Sequence, residues 1–177
     1  IEFVEYDLKN GLHVILHEDH SSPIAAVSVM YHVGSKNENP ERTGMAHFFE
    51  HLLFEGSENI GRGEFTSYVE NAGGVLNANT TTDRTFYYDL LPSNQLELGI
   101  WLESERMLHA KIDSTGIATQ REVVKEEKRL RYDNQPYGDL LHKTMELSFD
   151  KHPYKWLPIG SMAHLDAATD DEFMDFY

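Results

Sequence analysis

The chain reads RTGMAHFFEHLLFEGS from Arg42 to Ser57, and the centre of this stretch is His47-Phe48-Phe49-Glu50-His51. This H-x-x-E-H order is the inverse of the H-E-x-x-H metal-binding motif. Two histidines four residues apart lie on one face of an α-helix, because the helix repeats about every 3.6 residues. The pattern therefore predicts two imidazole ligands for one metal ion, and a Glu50 carboxylate that can reach a water on that ion.

The residues that flank the motif are mostly apolar, which predicts that its helix is largely buried. They are Met45, Ala46, Phe48, Phe49, Leu52, Leu53 and Phe54. Burying histidine and glutamate side chains is costly unless they are paired or bound to a metal. A metal site removes that cost. The alternative, two histidines on an exposed helix surface, does not account for the apolar flanks.

A metal that keeps an open position for water needs a third protein ligand. The chain contains no cysteine, so this ligand must be a histidine, an aspartate or a glutamate. The segment Gln120–Glu127 reads QREVVKEE and is expected to be helical, with Val123 and Val124 facing the core. It offers Glu126 and Glu127, which point to different faces of that helix. The pattern alone does not choose between them.

The rest of the pattern predicts an α+β fold with a mainly antiparallel sheet and helices packed on one face. Asn10-Gly11 lies between two apolar segments and indicates a β-hairpin over residues 3–17. Thr43 is expected to cap the helix of the motif and Gly56 to end it. Further strands are expected at residues 24–33 (a buried strand), 75–80 and 85–91, and further helices at 64–71, 93–109, from Thr115 or Thr119 to 132, at 138–149 and from Thr169.

The charge balance restricts the class of partner. The chain has 15 Lys and Arg residues against 30 Asp and Glu residues, a formal net charge of -15. Such an acidic surface argues against nucleic acid and against anionic membranes as partners. No apolar run approaches the length of a membrane span. We therefore expect a soluble protein.

We expect one domain over residues 1–177, because no linker, repeat or charged tail interrupts the pattern. The helical pattern that begins after Thr169 is still running at Tyr177, so this last helix is expected to be cut short, as in a piece of a longer protein. The first residue is Ile1 rather than methionine, which fits an exported or organellar protein that has lost a leader. The compartment itself is left open.

Three blocks of the sequence resemble one protein family. Arg42–Ser57 closely resembles the signature of the pitrilysin/insulinase family of zinc peptidases, which includes mitochondrial processing peptidase. Gly73–Thr80, continuing to Tyr87 and Tyr88, resembles the next block of that family, and Arg121–Glu127 resembles the third. The blocks stand in the family's order, and the resemblance covers essentially the whole chain.

The resemblance implies a role for each matching residue. His47, His51 and Glu127 match the zinc ligands, and Glu50 matches the general base of a zinc-dependent endopeptidase. Asn77 and Ala78 match an edge strand that pairs with extended substrate, a peptide or an unfolded protein.

The family also builds whole proteins from repeated domains of this fold. The resemblance therefore implies a homologous second domain or subunit as partner, and poor peptide hydrolysis by this chain alone.

Many family members carry a glutamate two helical turns before the third ligand, where this chain has Gln120. This departure puts in doubt the supporting role that the family's glutamate carboxylate has at this position. Glu122 is the residue of this chain that could take over that role. Two alternatives remain beside the peptidase: a non-catalytic family subunit that binds metal and partner without turnover, and a structural zinc site. Sites with two histidines and a glutamate also accept manganese or cobalt.

Overall fold

The computed structural model describes residues 1–177 and contains five strands and seven α-helices. The elements are β1 (Val4–Asp7), β2 (His13–Leu16), β3 (Ile24–Tyr31), α1 (Met45–Leu52), α2 (Glu64–Asn71), β4 (Val75–Thr80), β5 (Thr85–Pro92), α3 (Leu96–Leu108), α4 (Ser114–Lys128), α5 (Leu140–Ser148), α6 (Met162–Ala167) and α7 (Asp170–Phe176). None of the helices has the length and apolar character needed to cross a membrane.

Both sheets are antiparallel, which confirms the α+β class. β1 and β2 form the hairpin expected around Asn10-Gly11, and Gly11 takes the left-handed conformation (φ 89°) that this tight turn requires. The second sheet has the strand order β3-β5-β4, so β5 is central and β4 is an edge strand. The outer side of β4 is therefore open.

Helices cover one face of the three-stranded sheet. Every second residue of β5 is buried beneath them: Thr85, Tyr87, Asp89 and Leu91. β3 alternates between half-buried and exposed residues, and Ile24 and Met30 are 58% and 63% exposed. The prediction of a buried strand at 24–33 is therefore wrong, because α3 packs on only one side of β3.

The larger core joins α1 to the C-terminal half of the chain. Phe48 and Leu52 of α1 pack in one apolar cluster with Val124 of α4 and Phe173 of α7. Val124 is fully buried but Val123 is 44% exposed, so only one of the two valines faces the core as predicted. The reason is that a single face of α4 contacts α1.

The start of α1 differs from the prediction. Gly44, not Thr43, is the N-cap residue, in the left-handed conformation at φ 97°. The Thr43 hydroxyl instead contacts Nδ1 of His164 at 2.9 Å and accepts from the Ser161 amide at 3.1 Å. The helix ends at Leu52, before Gly56. Its free amides are bound by a side chain from outside the helix.

That side chain is the buried carboxylate of Glu38. Its two oxygens accept hydrogen bonds from the amides of Gly44 and Ala46, each at 2.9 Å. The indole of Trp156 donates to the same carboxylate at 3.1 Å. Glu38 therefore caps α1 and ties it to the loop that follows α5.

The same loop touches the start of α1 backbone to backbone. Gly160, also left-handed at φ 62°, lies against Gly44 so closely that a Cβ built on Gly160 would be 2.3 Å from the Gly44 Cα. Only glycine permits this approach.

The N-cap residue of α7 is the predicted one, but that of α4 is not. Asp113, not Thr115 or Thr119, caps α4 by accepting from the Gly116 amide at 2.8 Å. After Lys128 the chain widens into a π-helical turn over Arg129–Asp133. Thr169 caps α7 with a capping box, as predicted.

Candidate metal centre

α1 and α4 pack together so that the three expected ligands converge. The Glu127 Oε2 atom lies 3.4 Å from Nε2 of His47 and 3.2 Å from Nε2 of His51. All three atoms lie within 4.8 Å of one another. The Glu126 side chain is turned to solvent and pairs with Arg129 at 3.0 Å. The geometry therefore favours Glu127 over Glu126 as the third candidate ligand.

These three side chains are shielded from solvent. The side chains of His47, His51 and Glu127 are 10%, 23% and 15% exposed. The hydrogen bonds from His47 and then His51 hold the pKa of Glu127 well below its usual range. Glu127 is therefore a carboxylate at any ordinary pH.

The chemistry of the donor set fits a cation. A carboxylate oxygen only accepts hydrogen bonds, and a neutral imidazole nitrogen without a proton also only accepts. Three such atoms pointed at one another need a proton or a metal ion between them. Nδ1 of His47 is buried without a partner, so the polar contacts of this ring are made through Nε2 alone. Two imidazole nitrogens and one carboxylate oxygen make a donor set typical of open zinc sites.

Glu50 lies in the same cleft as the ligands. Its Oε2 accepts a hydrogen bond from the Thr80 hydroxyl at 2.5 Å, so the last residue of β4 holds it in place. The cleft has a volume of about 370 Å³ and is lined by His47, Glu50, His51, Phe54, Asn77, Ala78, Asn79, Thr80, Glu127 and Arg131. Metal ligands, carboxylate and edge strand thus share one cavity.

Sequence reasoning gave no site role to four residues of this cleft, Phe54, Asn79, Thr80 and Arg131, of which Thr80 and Arg131 contact the predicted site residues. Nη1 of Arg131 forms an ion pair with Oε1 of Glu127 at 2.8 Å. Its position four residues after Glu127 is a local signal that could have identified it. Thr80 had no comparable signal, because its contact with Glu50 joins two elements that are distant in the chain.

The backbone groups of Asn77 and Ala78 face opposite sides of β4. The Thr81 amide donates to the Arg84 carbonyl at 2.8 Å. Because paired and outward-facing residues alternate in an antiparallel ladder, Asn77 bonds to β5 while the backbone of Ala78 faces the open side. The Asn77 side chain accepts from the Ala78 amide at 2.8 Å. Of these two residues, only Ala78 therefore has its backbone groups at the edge, where the Asn77 side chain accepts from its amide.

Neither Gln120 nor Glu122 lines the cleft that holds the candidate ligands. Gln120 donates to Glu55, which follows α1, and Glu55 also pairs with Arg62. This contact joins α4 to the segment directly after α1. The Glu122 side chain is 72% exposed and pairs with Lys125 at 3.1 Å. The structure therefore gives no support to Glu122 as a substitute for the missing carboxylate, because it points to solvent.

Comparison with known proteins agrees with this geometry. The model of the insulinase family, peptidase family M16, matches residues 13–150. The chain belongs to this family. The resemblance seen in the three sequence blocks is thereby confirmed.

Members of the M16 family match nearly all of this chain. The zinc protease PqqE of Helicobacter pylori is 36% identical over 171 residues, which are 96% of this chain and 38% of that protein. The crystal structure of a protease from Helicobacter pylori superposes with a TM-score of 0.95 at 35% identity, covering 99% of this chain and 42% of that one. The β subunit of the mitochondrial processing peptidase of Saccharomyces cerevisiae is 27% identical, over 96% of this chain and 36% of the subunit.

The chain thus spans about 38% of the length of its M16 relative PqqE. Relatives are named zinc proteases, and the donor atoms of His47, His51 and Glu127 suit zinc. Zinc is the cofactor of this family.

Proposed function

We propose that this chain is the zinc-bearing domain of a metalloendopeptidase that hydrolyses peptide bonds of extended peptides or unfolded proteins. One observation carries the proposal: Oε2 of Glu127 lies 3.2–3.4 Å from Nε2 of both histidines, in a cleft that also holds Glu50 and the open edge of β4. His47, His51 and Glu127 hold the metal. When bound, zinc lowers the pKa of a water and polarises the scissile carbonyl.

The residues of the cleft supply the other parts of the reaction. Glu50 takes the proton of the attacking water and later gives it to the leaving amine. The hydroxyl of Thr80 keeps the Glu50 carboxylate directed into the cleft. The outward backbone groups of Ala78 bind the extended substrate as an added strand, and the Asn77 side chain lies beside them.

We place a homologous second domain or subunit opposite this cleft as the partner. Support comes from the relatives: this chain matches 38% of PqqE, and the yeast match is named a subunit. The chain alone should then bind zinc but hydrolyse peptides poorly, because it presents only one wall of the site. Robust turnover by the isolated 177 residues would contradict this arrangement.

The proposal is tested by Glu50→Gln in the full-length protein. The variant should keep its zinc and lose peptidase activity by about 100-fold or more, because an amide cannot take a proton from water. Zinc content and peptide cleavage are measured together. Glu126→Gln is the matched control, since Glu126 makes the same change on a side chain turned to solvent. Full activity of Glu50→Gln would overturn the assignment of Glu50 as the general base. A wild-type protein that binds no zinc would overturn the proposal of a zinc metallopeptidase.

The non-catalytic alternative has no specific support. All four residues that the chemistry needs are present, and the structure brings them into one cleft. A structural zinc site is also disfavoured, because three protein ligands beside a carboxylate that is not a ligand describe an open site and not a closed one.

A further inference from the structure

The two oxygens of the Glu127 carboxylate have different surroundings. Oε2 faces Nε2 of His47 and His51 at 3.4 and 3.2 Å. Oε1 lies 2.8 Å from Nη1 of Arg131, with which it forms an ion pair. The carboxylate is thereby divided into an inner oxygen toward the metal site and an outer oxygen bound to a cation.

Arg131 is distinct from its basic neighbours. Lys128 pairs with Asp133 at 2.7 Å, and Arg129 pairs with Glu126 at 3.0 Å. Of these three cations only Arg131 lines the cleft. It lies in the π-helical turn over Arg129–Asp133, a kind of turn that is frequent at functional sites.

An ordinary surface ion pair would not indicate a functional role for Arg131, because exposed pairs contribute little to stability. The Arg131 side chain is 71% exposed, as in an ordinary surface pair. Its acidic partner is different, because the Glu127 side chain is only 15% exposed and already faces two histidines. Carboxylates that bind metals are themselves held by hydrogen bonds from a surrounding shell of residues, which fix the ligand's orientation. Arg131 has the chemistry and the position for that task.

We propose that Arg131 is a positioning residue that binds Oε1 of Glu127 and so fixes Oε2 as the oxygen that faces the metal. With Oε1 occupied, Glu127 offers a single oxygen and leaves room for water at the cleft side. The inference rests on the proposed zinc site.

Zinc affinity of the purified chain, measured by competition with a chelating indicator, tests this. Arg131→Gln should weaken zinc binding by about 10-fold or more. Arg131→Met, a neutral side chain of similar length, should do the same. Arg129→Gln is the matched control, since it removes a charge from the same turn outside the cleft. It should bind zinc within about twofold of wild type, since its partner Glu126 is not a ligand.

Each other outcome is informative. Unchanged affinity in both Arg131 variants would show that the contact is only a surface ion pair. Tighter binding would show that Arg131 acts only as a charge that repels the metal, and either result overturns the proposal. A wild-type chain that binds no zinc would instead overturn the proposed function itself, so the two failures are distinguishable. Thermal unfolding of the metal-free variants confirms that they are folded.

Discussion

Among single residues, Asp89 stands in an unusual environment. It lies in the middle of β5, is 1% exposed, and its Oδ2 has no hydrogen-bond partner. Glu103 and Arg106 of α3 face it, but the Arg106 guanidinium is bound to Glu103 at 3.2 Å. Burial, and then the charge of Glu103, raise the pKa of Asp89 to about 7. The folded chain therefore keeps a proton on Asp89 that the unfolded chain releases near pH 4.

This difference makes the stability depend on pH. Between about pH 4 and pH 7 the unfolded state binds fewer protons than the folded state, so the free energy of unfolding falls as pH rises, and it is constant above that window. Asp89→Asn removes the ionisation and should be more stable than wild type at pH 8 by about 1–3 kcal/mol, with no such gain at pH 4. Urea unfolding of both chains from pH 4 to pH 9 measures the difference between their free energies of unfolding. The contributions of the other titrating groups are common to both chains and cancel in this difference. A difference that does not change with pH would contradict the prediction.

The residues of the metal site were predictable to different degrees. His47, Glu50 and His51 follow from local spacing, because a helix fixes their common face. The choice of Glu127 over Glu126 needs the face of α4 that packs on α1, which the residue pattern does not define. Thr80 meets Glu50 only through the packing of β4 beside α1, so no local pattern could assign it.

Among the elements, α1 depends on a cap supplied from outside it. Glu38 accepts the amides of Gly44 and Ala46 and the indole of Trp156. Burial raises its pKa to about 7, against the effect of these hydrogen bonds. The position of His47, in the first turn of α1, depends on this contact.

Glu38→Ala should therefore leave buried donors unsatisfied and lower the free energy of unfolding by about 2–4 kcal/mol. It should also weaken zinc binding, because the first turn of α1 would fray. Glu41→Ala, an exposed glutamate nearby, is the matched control. Chemical denaturation and zinc titration measure both effects. Equal stability of the two variants would show that the cap contributes nothing.

The open edge of β4 allows strand addition by the substrate to be tested at Ala78. Ala78→Pro removes an amide that does not bond to β5, so the strand should stay paired. Binding of extended peptide should weaken, seen as a KM raised by about 10-fold in the full-length protein, because the substrate loses one backbone hydrogen bond and meets the proline ring. Ala78→Ser keeps the amide and should behave as wild type. Zinc content shows whether the metal site is intact, and an unchanged KM in the proline variant would argue against strand addition.

The sequence predicted some elements more closely than others. The hairpin, α2 and β4 match because Asn-Gly, Gly-Gly and alternating residues are local signals. The start of α1 does not match, because its cap comes from Glu38 and not from the adjacent Thr43. α6 (Met162–Ala167) was not expected, because one short helix after Gly160 carries too few residues to show a period.

For the whole molecule, a metal at the proposed site would join two parts of the chain that are far apart in sequence. His47 and His51 belong to α1 and Glu127 to α4, and the core between these helices is the largest apolar cluster. A ligand that binds only the folded state stabilises it, by about 2.7 kcal/mol when present at 100 times its dissociation constant.

Chelation of zinc should therefore lower Tm by about 5–10 °C for a chain of this size. Differential scanning calorimetry with and without chelator measures the shift. Glu127→Gln should show a much smaller shift, since it removes a charged ligand. An equal shift in both chains would mean that the metal binds elsewhere.

The contact between Gly44 and Gly160 sets a limit on how this chain can change by mutation. The helix that carries both histidines and the loop behind it meet without any side chain between them. Residues around the contact can be exchanged as long as they still pack. A side chain at Gly160 would push the loop off the start of α1 and shift the first histidine with it. Two positions without chemistry of their own thus constrain the divergence of the site as firmly as its ligands do.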